Sequence, residues 1–178
     1  MSLINEGELI QRAAAIRLAV FDVDGVLTDG TLYLDDHGNQ IKAFNVRDGL
    51  GLKSLMRHDI QVAVITARRS GVVEKRMAEL GITHLRQGVG DKEAELLALS
   101  AELEIPPTAA SFMGDDLIDW PAMKHCGLSA APADADAWIR DRVDLVTRAG
   151  GGRGAVREFC QKLLAARGQL EAWQDSYR

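Results

Sequence analysis

Cysteine is scarce. Cys126 and Cys160 are the only two, and they form no spaced framework. A disulfide-stapled secreted scaffold is thereby excluded, and free thiols in a reducing cytoplasm are expected. Long apolar runs are also missing, since none approaches the ~20 residues of a membrane span. The N-terminal stretch MSLINEGELIQRAAAI is acidic and amphipathic, without the basic region and apolar core of a signal peptide. No membrane partner is expected. Histidines at 37, 58, 84 and 125 lack metal-ligand spacing. Positive charge does not predominate: a net charge of −5 argues against nucleic acid as a partner. There is no internal repeat, linker or low-complexity segment. What remains is a 178-residue chain, 47% hydrophobic and 26% charged, which fits one domain (1–178) with a buried core.

Helical and extended patterns alternate along nearly the whole chain. An amphipathic helix over about 4–15 leads into IRLAVFD, a continuous apolar run typical of a buried parallel strand. TLYLDD and QIKAFNV alternate apolar and polar residues around His37-Gly38-Asn39, a β-hairpin signal over about 31–46. Helices follow near 48–58, 71–80, 91–104 and 116–125, the second capped by Ser70 and ended by Gly81. Between and after them run QVAVIT, THLRQ, ASFMGD, LSAAP and DLVT, with the short helix DADAWIRD before the last. A final helix is expected over about 153–169, followed by a frayed end. Strands separated by helices imply an α/β fold with a doubly wound, Rossmann-like parallel sheet. Such sheets bind ligands beyond the carboxyl ends of their strands.

The polar residues at those ends are the chemically informative ones. VFDVDGVLTDG places Asp22 and Asp24 where the first buried run ends. On its own an Asp-x-Asp pair is either a solvated turn or one side of a cation site. FMGDDLID adds a second acidic cluster, Asp115, Asp116 and Asp119, with Gly114 permitting a sharp turn. Two acidic clusters at neighbouring strand ends repel unless a cation lies between them, and an all-oxygen ligand set points to Mg²⁺. Thr66 ends a third strand. Lys92 opens a helix, where a cation opposes the helix dipole unless it serves an anion. A nucleophile, a hydroxyl, a point cation and a metal clamp are the parts that phosphoryl transfer needs.

DVDGVLTDG, Thr66, Lys92 and GDDLID, in that order, resemble the four motifs of the haloacid dehalogenase superfamily of aspartyl phosphotransferases. An Asp two residues after the nucleophile is similar to the phosphatase branch. The resemblance implies that Asp22 attacks phosphorus and becomes a phosphoaspartate. It implies that Asp24 protonates the leaving alkoxide and then activates water. Mg²⁺ would sit on the Asp22 carboxylate, the Asp24 backbone carbonyl and Asp115. Thr66 and Lys92 would hold the phosphoryl oxygens, with Asp116 and Asp119 in supporting positions.

The gaps from Asp24 to Thr66 and from Thr66 to Lys92 leave no room for a cap domain, so the chain resembles the capless branch. Within it, DVDGVLTDG, FNVRDGLGLK, GITHL, GDDLIDWPAM and RAGGGRGAVREFC resemble the 3-deoxy-D-manno-octulosonate (KDO) 8-phosphate phosphatases, with Ala67 standing where that family has glycine. The family's substrate-contacting positions then fall on Asp24, Asn45, Val46, Arg47, Asp48, Gly49, Lys53, Arg68, Arg76 and Lys92. Guanidinium groups suit a sugar acid phosphate because they pair bidentately with carboxylate and phosphate. The resemblance also implies free KDO as a lipopolysaccharide inner-core precursor. It further implies a homotetramer in which apolar hairpins close into a barrel and roof shared active sites.

RAGGGRG reads either as a flexible joint or as a mobile gate (about 149–170) carrying Arg148, Arg153 and Arg157 to the site mouth. The shared motifs leave open a phosphatase for another sugar-acid phosphate, such as a nonulosonate 9-phosphate. A signalling receiver would carry its acidic pair, Thr and Lys in another order, and a non-catalytic phosphatase-like module would not need all four motifs.

Overall fold

β1 (Leu18–Phe21) is four consecutive buried apolar residues, as a strand covered on both faces requires. In the computed structural model, which describes residues 4–178, it lies at the middle of a six-stranded sheet. It pairs in parallel with β4 (Gln61–Thr66) on one side and β6 (Ala110–Met113) on the other. β5 (His84–Gln87) flanks β4, while β7 (Leu128–Ala131) and β8 (Leu145–Val146) extend beyond β6, all parallel. The order β5-β4-β1-β6-β7-β8 reverses direction at β1. The crevice therefore opens at the carboxyl ends of β1, β4 and β6.

Alternate residues of each strand feed two cores. Ala19, Phe21, Val62 and Val64 pack under α1 (Glu6–Ala14), α2 (Val46–Arg57), α3 (Gly71–Leu80) and α7 (Ala155–Ala166). Leu18, Val20, Ala63 and Ile65 pack under α4 (Lys92–Glu102), α5 (Trp120–Met123) and α6 (Ala137–Arg140). Among the described residues no helix is long and apolar enough to cross a membrane.

Four local expectations are corrected. The hairpin forms only the short pair β2 (Tyr33–Leu34) and β3 (Gln40–Ile41), because no third strand supports it. Its turn is held by Asp35, whose carboxylate accepts the backbone N–H groups of His37 and Asn39. Ser70 does not cap α3 with its side chain; its backbone N–H instead donates to Gln87 Oε1. Residues 116–119 are not helical, since that segment wraps around the Asp119 carboxylate. The chain end does not fray after α7: α8 (Leu170–Asp175) folds back, burying Trp173 beneath the Arg157 guanidinium at 4.4 Å.

The three-glycine segment is tightly packed. Gly151 N–H donates to Asp134 Oδ1 at 2.8 Å, Gly152 N–H donates to the Val26 carbonyl at 2.9 Å, and Glu158 accepts from Arg148 and Ala149 N–H. A Cβ at Gly151 would collide with the Gly25 carbonyl and lie 2.9 Å from the Thr28 carbonyl. These glycines let two backbones touch, locking the segment onto the loop that follows β1. Because both obstructing atoms are backbone, Gly151→Ala should cost about 2 kcal/mol. For a domain of this size that is a fall in Tm of roughly 4–8 °C, measurable by thermal melting. An unshifted melt would show that the two loops can separate freely.

Candidate active site

Asp22 is the first residue past β1, and its N–H donates to the Met113 carbonyl of β6 at 3.0 Å. This anchors the buried carboxylate between two strands. Its Oδ2 lies 3.0 Å from Lys92 Nζ, while Oδ1 is buried without a protein partner. Lys92 opens α4 and is itself buried, with its ammonium bridging Asp22 and Asp119. Asp119 is fully buried and organises the second acidic loop. One oxygen takes Lys92, and the other accepts the N–H groups of Asp115 at 3.0 Å and Asp116 at 3.3 Å. Gly114 is required there because a Cβ would run into the Asp119 side chain. Oxygens of Asp22, Asp115 and Asp119 lie within 4.8 Å of one another. Asp116 points out to solvent. Thr66, buried at the end of β4, lies two residues past Val64, which pairs with Phe21.

Asp24 lies outside this cluster. Its carboxylate pairs with Lys42 through one oxygen, and the other is 3.6 Å from Arg68 Nε. The sequence does not single out Lys42. It stands among alternating hairpin residues, and nothing local marks it as buried against an aspartate eighteen positions away. Asn45 caps α2 by accepting Arg47 N–H, and its amide donates to the Gly152 carbonyl at 3.3 Å. Val46 and Arg47 are exposed, and the Arg47 carbonyl accepts from Arg157 at 3.5 Å.

Asp48, expected to contact substrate, turns its carboxylate to α7 and keeps only its backbone for that role. Asp48 is buried with its carboxylate turned inward, where it accepts Arg157 N–H at 2.8 Å and so caps α7 from a different helix. Gly49 sits under Arg76, and a Cβ there would lie 2.6 Å from Arg76 Nη2. Arg76 also pairs with Glu79, while Lys53 is half-buried one turn further along α2. Arg153 is exposed, 3.9 Å from Asp29.

No family model matches the chain. The KDO 8-phosphate phosphatase KdsC of Escherichia coli K12 is 51% identical over 164 residues, which cover 92% of this chain and 87% of that protein. The KDO 8-phosphate phosphatase family is the one to which this chain belongs. The crystal structure of the Yersinia pestis phosphatase superposes with a TM-score of 0.91 at 51% identity, covering 92% of this chain and 89% of its own. That of Moraxella catarrhalis, in complex with magnesium, phosphate and KDO, gives 0.95 at 37% identity, covering 98% and 100%. A Haemophilus influenzae family member was solved in a cobalt-bound form. A Legionella pneumophila neighbour, 42% identical, is described as a haloacid dehalogenase superfamily hydrolase, and among the described residues of this chain no large cap domain lies over the sheet.

The acidic cluster here fits a hard divalent cation. Its donors are all carboxylate oxygens, Asp22 Oδ1 lacks a partner, and Gly25 leaves space where a side chain would strike the Asp115 carboxylate. Without a cation the charges are poorly balanced. Burial, followed by the repulsion of Asp119 and Asp22, pushes the Asp115 carboxyl up to about 8. Burial and Asp119 push Asp22 up to about 6 against the pull of Lys92. Lys92 is held above its usual range because its two carboxylate neighbours outweigh its burial.

Above pH ~4 the unfolded chain has released protons that the folded state keeps up to about pH 6 on Asp22 and about pH 8 on Asp115. Metal-free stability should therefore fall as pH rises from about 4 to 8. Asp115→Asn should melt about 2–4 °C above wild type at pH 8 without metal, about 1 kcal/mol, and should lose the Mg²⁺-induced rise in Tm. A metal-free variant melting below wild type would contradict this electrostatic reading.

Proposed function

We propose that this chain hydrolyses KDO 8-phosphate to KDO and inorganic phosphate, as a Mg²⁺-dependent phosphoric monoester hydrolase working through a phosphoaspartate on Asp22. The observation that carries the reading is the buried Asp22 carboxylate, held by Lys92 through one oxygen and free at the other, in a chain half identical to KdsC. The free Asp22 oxygen attacks phosphorus as the bond to the C8 oxygen breaks, and Asp24 gives that oxygen its proton. Asp24 then takes a proton from water as the water oxygen attacks phosphorus, releasing Asp22 and phosphate. Lys92 and the Thr66 hydroxyl hold the non-bridging oxygens, and Asp119 keeps Lys92 aimed. Mg²⁺ bound by Asp22, Asp115 and the Asp24 backbone carbonyl would offset the repulsion between carboxylate and phosphate. Asp116 supports the loop from outside.

The substrate's carboxylate and hydroxyls would meet Arg68, Arg76, Lys53, Asn45, Val46, Arg47 and Gly49, with Asp48 offering only its backbone. Gly49 favours this assignment by leaving Arg76 room over the start of α2. The exposed Arg153 is the candidate gating residue by movement of its side chain, since the glycine segment that carries it is packed onto the loop after β1. The two free thiols support a cytoplasmic site.

Leu32, Tyr33, Leu34 and Ile41 are all exposed on the hairpin, an apolar surface that a lone two-stranded ribbon does not retain in water. Four such hairpins meeting in a homotetramer would cover it and roof neighbouring sites. Light scattering at assay concentration should return a tetramer. A fully active monomer would overturn the shared-site arrangement.

For the chemistry, purified protein should release phosphate from KDO 8-phosphate only with Mg²⁺, and faster than from a nonulosonate 9-phosphate. Acid quench should trap a phosphoenzyme that Asp22→Asn cannot form, because the amide lacks the nucleophilic charge. A phosphoenzyme surviving in Asp22→Asn would move the nucleophile elsewhere.

A further inference from the structure

Lys42 sits one residue beyond β3, at the base of the hairpin, with its side chain only 3% exposed. Burying an ammonium is unfavourable unless an anion lies against it. Among the described residues its one ion-pair partner is the Asp24 carboxylate, contacted through Oδ1. Arg68, just past β4, approaches the other oxygen at 3.6 Å. The carboxylate is thus held from two sides by two different elements. Lys92, by contrast, serves Asp22 and Asp119. The two close aspartates are thereby given separate cations, one from α4 and one from the hairpin. A hairpin that needed only to pack would fill so enclosed a position with an apolar side chain, as it does with Phe44 against the main core.

We infer that Lys42 is a positioning residue for the hydrolysis, orienting the Asp24 carboxylate and making hairpin docking a condition for its alignment. The inference rests on the role given to Asp24 in the proposed function. A carboxylate gripped at one oxygen by Lys42 and steered at the other by Arg68 has little freedom to rotate. Its proton then travels along a set line to the leaving oxygen, and later from the attacking water. Loss of that alignment, with the nucleophile and metal ligands intact, slows both proton transfers. It does not weaken substrate binding.

The test compares wild type, Lys42→Met and Lys42→Arg on KDO 8-phosphate and on p-nitrophenyl phosphate, with Mg²⁺ present. Lys42→Met should lower kcat on KDO 8-phosphate by on the order of 10²-fold, with KM within about twofold, and Lys42→Arg should recover part of the loss. The nitrophenolate leaves without needing a proton, so on that ester the first step survives and only water attack is slowed. Lys42→Met should therefore give a burst of nitrophenolate and accumulate phosphoenzyme. The Mg²⁺-induced rise in Tm should match wild type.

An unchanged kcat, a loss confined to KM, or a loss that tracks a collapsed Mg²⁺ response would each overturn the positioning role. Lys42→Gln keeps a donor at the site and decides by the same split should Lys42→Met fail to fold. An inactive wild type overturns this inference together with the proposed function; an active wild type beside an unaffected Lys42→Met overturns the role of Lys42 alone.

Discussion

The buried bridge of Lys92 between Asp22 and Asp119 is the interaction on which the crevice depends. Removing three charged groups from water is unfavourable unless each is paired and hydrogen-bonded, and the surrounding backbone is shaped to meet that condition. α4 begins with a lysine despite its dipole because the ammonium has two anions to serve. The chain after β6 gives up a helical turn so that two backbone N–H groups can reach the second Asp119 oxygen. Gly114 is the residue that lets it fold so closely. One carboxylate oxygen of Asp22 is consequently left pointing into the crevice without a protein partner, beside an Asp115 with too little positive charge around it. The proposed nucleophile and the candidate cation site both follow from that imbalance.

A second constraint ties the substrate side to the chain's end. Asp48 of α2 caps α7, Asn45 holds the Gly152 carbonyl, and Arg157 reaches the Arg47 carbonyl while stacking on Trp173 of α8. Gly51 allows the approach, since a Cβ there would lie 3.2 Å from the Arg157 Cα. The segment 45–49 is therefore backed by the last two helices, while Gly151 and Gly152 press the glycine segment onto the loop after β1. The arginines proposed to meet substrate stand on a frame that also positions Asp22. A perturbation near the C-terminus can thus reach Arg47 through packed backbone.

Much of this was legible along the chain because its causes are local. Runs such as LAVF and QVAVIT must be strands covered on both faces, Gly81 ends α3 in the left-handed region, and the Asp-x-Asp and Gly-Asp-Asp motifs mark strand ends by their own turn chemistry. Parallel topology, the crevice and the chemical types of its residues follow from those elements and their order. Partner choice is another matter, because it is made between residues far apart in the chain. Asp48 sits in the same short motif as Asn45 and Arg47, yet helix geometry turns its carboxylate to α7. Three consecutive glycines look flexible until the opposing loop shows that they are tight contacts. Residues 170–175 become a helix because Trp173 finds a buried seat under Arg157, which the segment alone does not reveal. Lys42 shows the division most directly: the sequence by itself determined that Asp22 and Asp24 lie too close to share one environment, and only the tertiary structure decided which cation each receives, since Coulomb pairing depends on distance in space.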